Sequence, residues 1–320
     1  MKYYLGIDLG GTNIATGVIQ EDYTMLAKHS VPTAYPRSAE AIVEDMALAG
    51  RAVLEKAGLT EKDIEYVGVG VPSTVNQFNH RVVFANNLNW RDYDMIAEFQ
   101  KNWDIPVFLG NDADAAALGE VMACIGREYE NAMMITLGTG LGGGIILNNR
   151  LFTGGDGLGC EPGHTIIVAD GQQCTCGKKG CLEAYASVTA LVRDTIRAMG
   201  DYPDSIMRDM TGNDITKVTG RTAFDAAKKG DVAGQEVVKN FIHYLAVGIG
   251  SMATLLRPQA VILGGGVCNE GENLFKPLRE EVSKLVYAGD IMGSPKLVKA
   301  TLGNDAGIIG AALLGAQDKL

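Results

Sequence analysis

Three of the six cysteines fall in one run, Cys174-Thr-Cys176-Gly-Lys-Lys-Gly-Cys181, that begins ten residues after His164. Thiolates and imidazole are the ligands that tetrahedral zinc prefers. Gly177 and Gly180 let the chain turn tightly enough for three sulfurs to face one ion. A Cys3His set is closed, with no position left for water, so the chemistry it suggests is structural support by Zn2+. Glu161 and Glu183, at the two ends of the same stretch, are not spaced as zinc ligands. Paired carboxylates near an Asn are instead the acceptors that grip the hydroxyls of a cyclic polyol.

Glycine supplies a second kind of chemistry. Asp8-Leu9-Gly10-Gly11-Thr12 lies between two apolar runs. Glycines in such a hairpin let backbone N–H groups point at phosphate oxygens, Thr12 adds a hydroxyl, and Asp8 offers a hard oxygen ligand for Mg2+. The device recurs as Gly138-Thr139-Gly140 in GTGLGGG, and a third turn carries Gly265 and Gly266 in LGGGV. The GxxxxGK[ST] spacing of a Walker loop is absent. Together the turns suit a nucleoside triphosphate such as ATP. Asn111-Asp112 leads into an Ala-rich helix, where Asp112 could take the proton of an attacking hydroxyl. The same spacing fits a helix cap by Asn111 or Asp112, and Asp114 fits that capping role better still.

The elements that must position these residues read as α/β. A strand, glycine turn and strand open the chain, and a third strand is expected at 25–31. Helical spacing of Ile42, Met46, Ala49 and Val53 ends at Gly58, and strand 66–72 follows. A polar segment runs from there to about Leu88, with a helix near 93–103 and a strand at 107–109. MMITLGTGLGGGIIL can be laid over the opening hairpin with Asp8 on Thr136 and Gly10 on Gly138, which implies a duplicated unit. One continuous helix is expected over 182–199, another over 232–256, and then a strand from 260 to 266. The division expected is an N-terminal α/β domain, 1–110, joined by the C-terminal helix 305–320, and a C-terminal domain, 111–304, with the zinc loop at 164–181.

Composition narrows the partners. Hydrophobic content of 47% and charged content of 21% describe a globular chain. A net charge of -10 without a basic stripe argues against nucleic acid. The 41 glycines, nearly twice the usual share of about 7%, cluster in the turns. No apolar run approaches the ~20 residues of a membrane helix, and Asp8 comes too early for a secretory signal. These features point to the cytoplasm, where thiols stay reduced. Cys124, Cys160 and Cys268 read as small buried hydrophobes.

DLGGT, NDAD, the run LGTGLGGGIILNNRLFTGGDGLGCEPGH and CTCGKKGCLE together resemble the ROK family (repressors, open reading frames, kinases), from residue 6 to the C-terminus. The resemblance implies two actin-like, ribonuclease H-like domains of the sugar-kinase type flanking a cleft, and a homodimer. It implies that Asp112 is the catalytic base, that Asn87, Asn111, Glu161, His164 and Glu183 bind sugar hydroxyls, and that His164, Cys174, Cys176 and Cys181 hold zinc. The implied reaction is ATP-dependent phosphorylation of a hexose at its 6-hydroxyl, of the glucokinase type. N-acetylglucosamine, N-acetylmannosamine, mannose, fructose and allose are the alternatives. Repressors of the family carry a winged helix-turn-helix ahead of DLGGT, whereas seven residues precede Asp8 here, so DNA binding is not expected. Asp114, Cys160 and Ser73 depart from the family pattern. The last two fall in the sugar region and bear on sugar preference.

Overall fold

The computed structural model describes residues 1–76 and 79–317. The chain opens with β1 (Tyr3–Leu9), β2 (Asn13–Gln20) and β3 (Met25–Pro32), then α1 (Ala39–Ala57) and β4 (Ile64–Val71). Ser38 starts α1 by accepting a hydrogen bond from the Ala41 N–H, and Gly58 ends it in the left-handed conformation. The segment expected only to be polar contributes to a small antiparallel sheet of β5 (Thr74–Asn76), β6 (Arg81–Ala85) and β7 (Trp90–Tyr93). Val75, Val82 and Trp90 are buried there, in a stretch too short and polar for its alternation to stand out. Next come α2 (Met95–Gln100), β8 (Val107–Asn111) and α3 (Asp112–Ala123).

The first sheet has the order β3-β2-β1-β4-β8. β1 and β2 are antiparallel, whereas β4 and β8 run parallel to β1, and the register sets Asp8 beside Gly70 and Gly70 beside Gly110. The acidic end of β1 and the Asn111–Asp112 junction thereby reach the same edge of the sheet. Leu5, Ile7, Val67, Val69 and Leu109 form its core, against Met46 and Val53 of α1.

β9 (Ala132–Leu137), β10 (Leu141–Leu147) and β11 (Arg150–Leu151) begin the second sheet. Helices α4 (Glu183–Ala186), α5 (Val188–Asp201), α6 (Met207–Thr211), α7 (Thr222–Lys228) and α8 (Val232–Leu256) follow. β12 (Ala260–Gly264), α9 (Glu272–Leu285), α10 (Gly289–Met292), β13 (Lys296–Lys299) and α11 (Asp305–Gln317) complete the chain. The order β11-β10-β9-β12-β13 repeats that of the first sheet, so the glycine-turn echo in the sequence extends to sheet topology. The helix expected over 182–199 is two helices. Ser187 interrupts it in an extended conformation and caps α5 through the Ala190 N–H.

Contacts divide the chain into two compact units, residues 1–134, 143–160 and 301–320 against 135–142 and 161–300. This differs from a boundary at 110/111, because α3 belongs to the first unit. There α3 and α11 touch backbone to backbone, and a Cβ at Gly310 would collide with the Ala115 carbonyl. Small residues on both helices permit that approach, a packing choice that an Ala-rich sequence does not announce. Among the described residues, no helix is long and apolar enough to cross a membrane.

Candidate functional site

Within the first unit, Asp8, Gly10, Gly11 and Thr12 line a cavity of about 600 Å3 together with Lys28, Asn304 and Asp305. The Gly10 N–H donates to the Asn13 carbonyl (2.8 Å), closing the turn. Thr33 fixes it from outside, donating its hydroxyl to Gly10 O at 2.7 Å and its N–H to Thr12 O at 2.8 Å. Asp8 abuts the first turn of α11, where a Cβ on Gly307 would stand 2.5 Å from its Oδ2. Burial, with a smaller contribution from the charge of Asp112, raises the Asp8 carboxyl from 3.8 to about 6. The half-buried Asp8 carboxyl is a hard oxygen donor that suits a hard cation.

The α3 terminus resolves the capping question. Asn111 is the N-cap, accepting from the N–H groups of Ala113 (2.8 Å) and Asp114 (3.1 Å), while its Nδ2 donates to Ser73 O at 3.0 Å. Asp114 lies buried in the first turn and is not the cap. Asp112 keeps one oxygen on the Ala113 N–H (2.8 Å) and is half-buried at the sheet edge. Asn87 is exposed in the short turn Asn86–Leu88.

The second unit gathers the rest around Leu141. Its N–H donates to Glu183 Oε2 at 2.9 Å. Its carbonyl sits so close to Gly163 that any side chain there would collide with it. The EPGH turn, the 138–140 turn and Glu183 therefore meet at one residue that carries no sequence signal of its own. Gly138 closes the glycine turn through Gly140 O (3.0 Å), and Thr139 O accepts the Thr189 hydroxyl at 2.6 Å. Gly265 and Gly266 follow β12, with Gly265 in positive-φ geometry (102°). Glu161 is exposed, and His164 ends the short turn Pro162–His164.

The ligand atoms of His164, Cys174, Cys176 and Cys181 all lie within 4.8 Å of one another. Cys174 Sγ is 3.7 Å from His164 Nδ1, and Cys176 Sγ is 3.6 Å from Cys181 Sγ. The edges of a tetrahedron around zinc, with Zn–S about 2.3 Å and Zn–N about 2.0 Å, are roughly 3.5–3.8 Å, so the set fits. The loop is shaped by Cys174 N–H to Lys178 O (2.8 Å) and by Gly180, whose lack of a Cβ admits the Val168 carbonyl. Of the cysteines outside the cluster, Cys268 is buried as expected. Cys124 is half-buried, 3.0 Å from the Thr301 hydroxyl, and Cys160 is half-buried in positive-φ geometry (71°).

Comparison with known proteins places these features in context. The chain is 36% identical to the glucokinase of Streptomyces coelicolor over 319 residues, covering 99% of this chain and 98% of that protein. It superposes with a TM-score of 0.80 on a ROK family glucokinase from Streptomyces griseus in complex with glucose and AMPPNP, at 35% identity and 98% coverage of both chains. A ROK hexokinase from Thermus thermophilus gives a TM-score of 0.84 at 32% identity and 99% coverage of both. The family model described as the ROK family matches residues 4–318. With that match across nearly its whole length, and a sugar-kinase fold of α/β type, the chain belongs to the ROK family.

Proposed function

We infer that this protein is an ATP-dependent glucokinase, which transfers the γ-phosphoryl group of ATP to the 6-hydroxyl of glucose. Its full-length likeness to glucokinases supports this, including a homologous structure that holds glucose and AMPPNP. The observation that carries the mechanism is the placement of Asp112 at the edge of the first sheet, near Asp8 and held by the Asn111-capped start of α3. Asp112 accepts the proton of the 6-hydroxyl as that oxygen attacks phosphorus. Backbone N–H groups of Gly10–Thr12 and Gly138–Gly140 hold the phosphoryl oxygens, and Gly265 and Gly266 lie under the nucleoside. Asp8 is the residue that would hold Mg2+, which when bound would neutralise phosphoryl charge. Asn87, Asn111, Glu161, His164 and Glu183 receive the sugar hydroxyls. His164 does so through Nε2, its Nδ1 facing Cys174.

In this reading Zn2+ holds the loop of His164, Cys174, Cys176 and Cys181 as structural support. The repeated sheet order supports two ribonuclease H-like cores of the actin and sugar-kinase type. The protein acts as a cytoplasmic homodimer. The decisive experiment is an ATP-coupled assay over a hexose panel, with Asp112→Asn alongside. Glucose should give the highest kcat/KM. The variant should bind glucose with little change while kcat falls about a hundred- to ten-thousandfold. Retained turnover in the variant would overturn the base assignment, and preference for another hexose would overturn the glucose assignment.

A further inference from the structure

Glu183 joins two segments that no sequence pattern connects. Its Oε1 accepts the Thr175 hydroxyl at 2.9 Å and lies 3.6 Å from Cys174 Sγ, while Oε2 accepts the Leu141 N–H at 2.9 Å. One carboxylate oxygen is thus committed to the Cys-rich loop and the other to the glycine turn. The approach is possible because residue 140 has no Cβ to collide with Oε2. Residues just after Glu183 grip the same turn, since Val188 N–H donates to Gly138 O (2.9 Å) and the Thr189 hydroxyl to Thr139 O.

Charge-assisted bonds are about twice as strong as neutral ones, so this carboxylate is the stiffest part of the connection. Thr175 stands between two of the candidate ligands without being one. Its hydroxyl therefore follows the loop's geometry and still donates when the sulfurs are ligated. A carboxylate has about four acceptor positions, so two protein donors leave room for a sugar hydroxyl as well.

We propose that Glu183 is a positioning residue that transmits the order of the Cys174–Cys181 loop to the 138–141 turn. Its meaning for catalysis rests on reading that turn as the seat of the phosphoryl donor, but the link itself is measurable without nucleotide. Amide hydrogen exchange of peptides covering 135–147 is compared in the full-length protein, zinc-loaded and after chelation, for wild type, Glu183→Ala and Thr175→Val. Chelation should accelerate exchange in the wild-type turn about tenfold, the order expected for losing a hydrogen bond to a charged acceptor. Zinc-loaded Glu183→Ala should show the same acceleration, and chelation should add nothing further. Thr175→Val keeps all four ligands and should retain its zinc while its turn exchanges faster. If Glu183→Ala does not fold, Thr175→Val decides alone. Wild-type exchange in the turn of zinc-loaded Thr175→Val overturns the link. Calorimetry with Mg2+-AMPPNP separates the two readings. Affinity that weakens in step with exchange extends the link to the donor. Faster exchange with unchanged affinity keeps the link and overturns the donor reading of the turn.

Discussion

Replacing Asp8 by Asn should stabilise the ligand-free protein while removing its activity. Burial and the nearby Asp112 raise the Asp8 carboxyl from 3.8 to about 6, so the folded state binds this proton more tightly than the unfolded chain. The native state therefore bears no cost from Asp8 below about pH 4, and stability is lost as pH rises through 6. At about 1.4 kcal/mol per pKa unit, the full cost above pH 7 is about 3 kcal/mol, with about half of it present at pH 5. Asn is nearly isosteric and neutral at every pH, so the variant escapes that cost. Urea unfolding without nucleotide or Mg2+ measures it. Trp90 and Trp103, both buried in the first unit, make tryptophan fluorescence a report on that unit. The gain for Asp8→Asn should be small at pH 4, grow through pH 5 and 6, and level off by pH 8. Equal stability of the two proteins at pH 8, or a gain that does not shrink in acid, would refute the argument.

Other perturbations test other parts of the molecule. Gly310→Ala should cost about 3 kcal/mol or more, seen as a lowered melting temperature, because its methyl meets the Ala115 carbonyl. Cys160→Gly should gain about 1 kcal/mol by relieving a positive φ at a residue with a Cβ, again read by melting. Cys176→Ser should lose its zinc by elemental analysis. A wild type purified without chelators and found free of zinc would instead remove the structural-metal assignment.

The chain's own pattern made much of the fold legible. α8 runs over 232–256 as its apolar spacing and Pro258 dictate, and Gly58 ends α1. The glycine turns were visible because their glycines cluster between apolar runs. What stayed hidden depends on contacts distant in sequence. Asn111 and Asp114 are both good caps, and only the backbone geometry of α3 chose Asn111. Leu141 is an ordinary apolar residue whose importance comes from its N–H and carbonyl, which no side-chain pattern records. Thr33, Thr175 and Thr189 carry no sequence signal for the same reason, being lone hydroxyls whose partners lie elsewhere in the chain.

The glycine-mediated seam between α3 and α11 also bears on synthesis. α11 leaves the ribosome only after residues 161–300 have been made, yet the Tyr66 hydroxyl donates to Ala312 O at 2.7 Å and Ile308 O lies against Gly6 of the first strand. The first unit therefore cannot finish its core until residues 161–300 of the second have been made. Contacts this distant in sequence form slowly. The first sheet must wait with its α11-facing side uncovered, an interval in which nascent chains aggregate or need a chaperone.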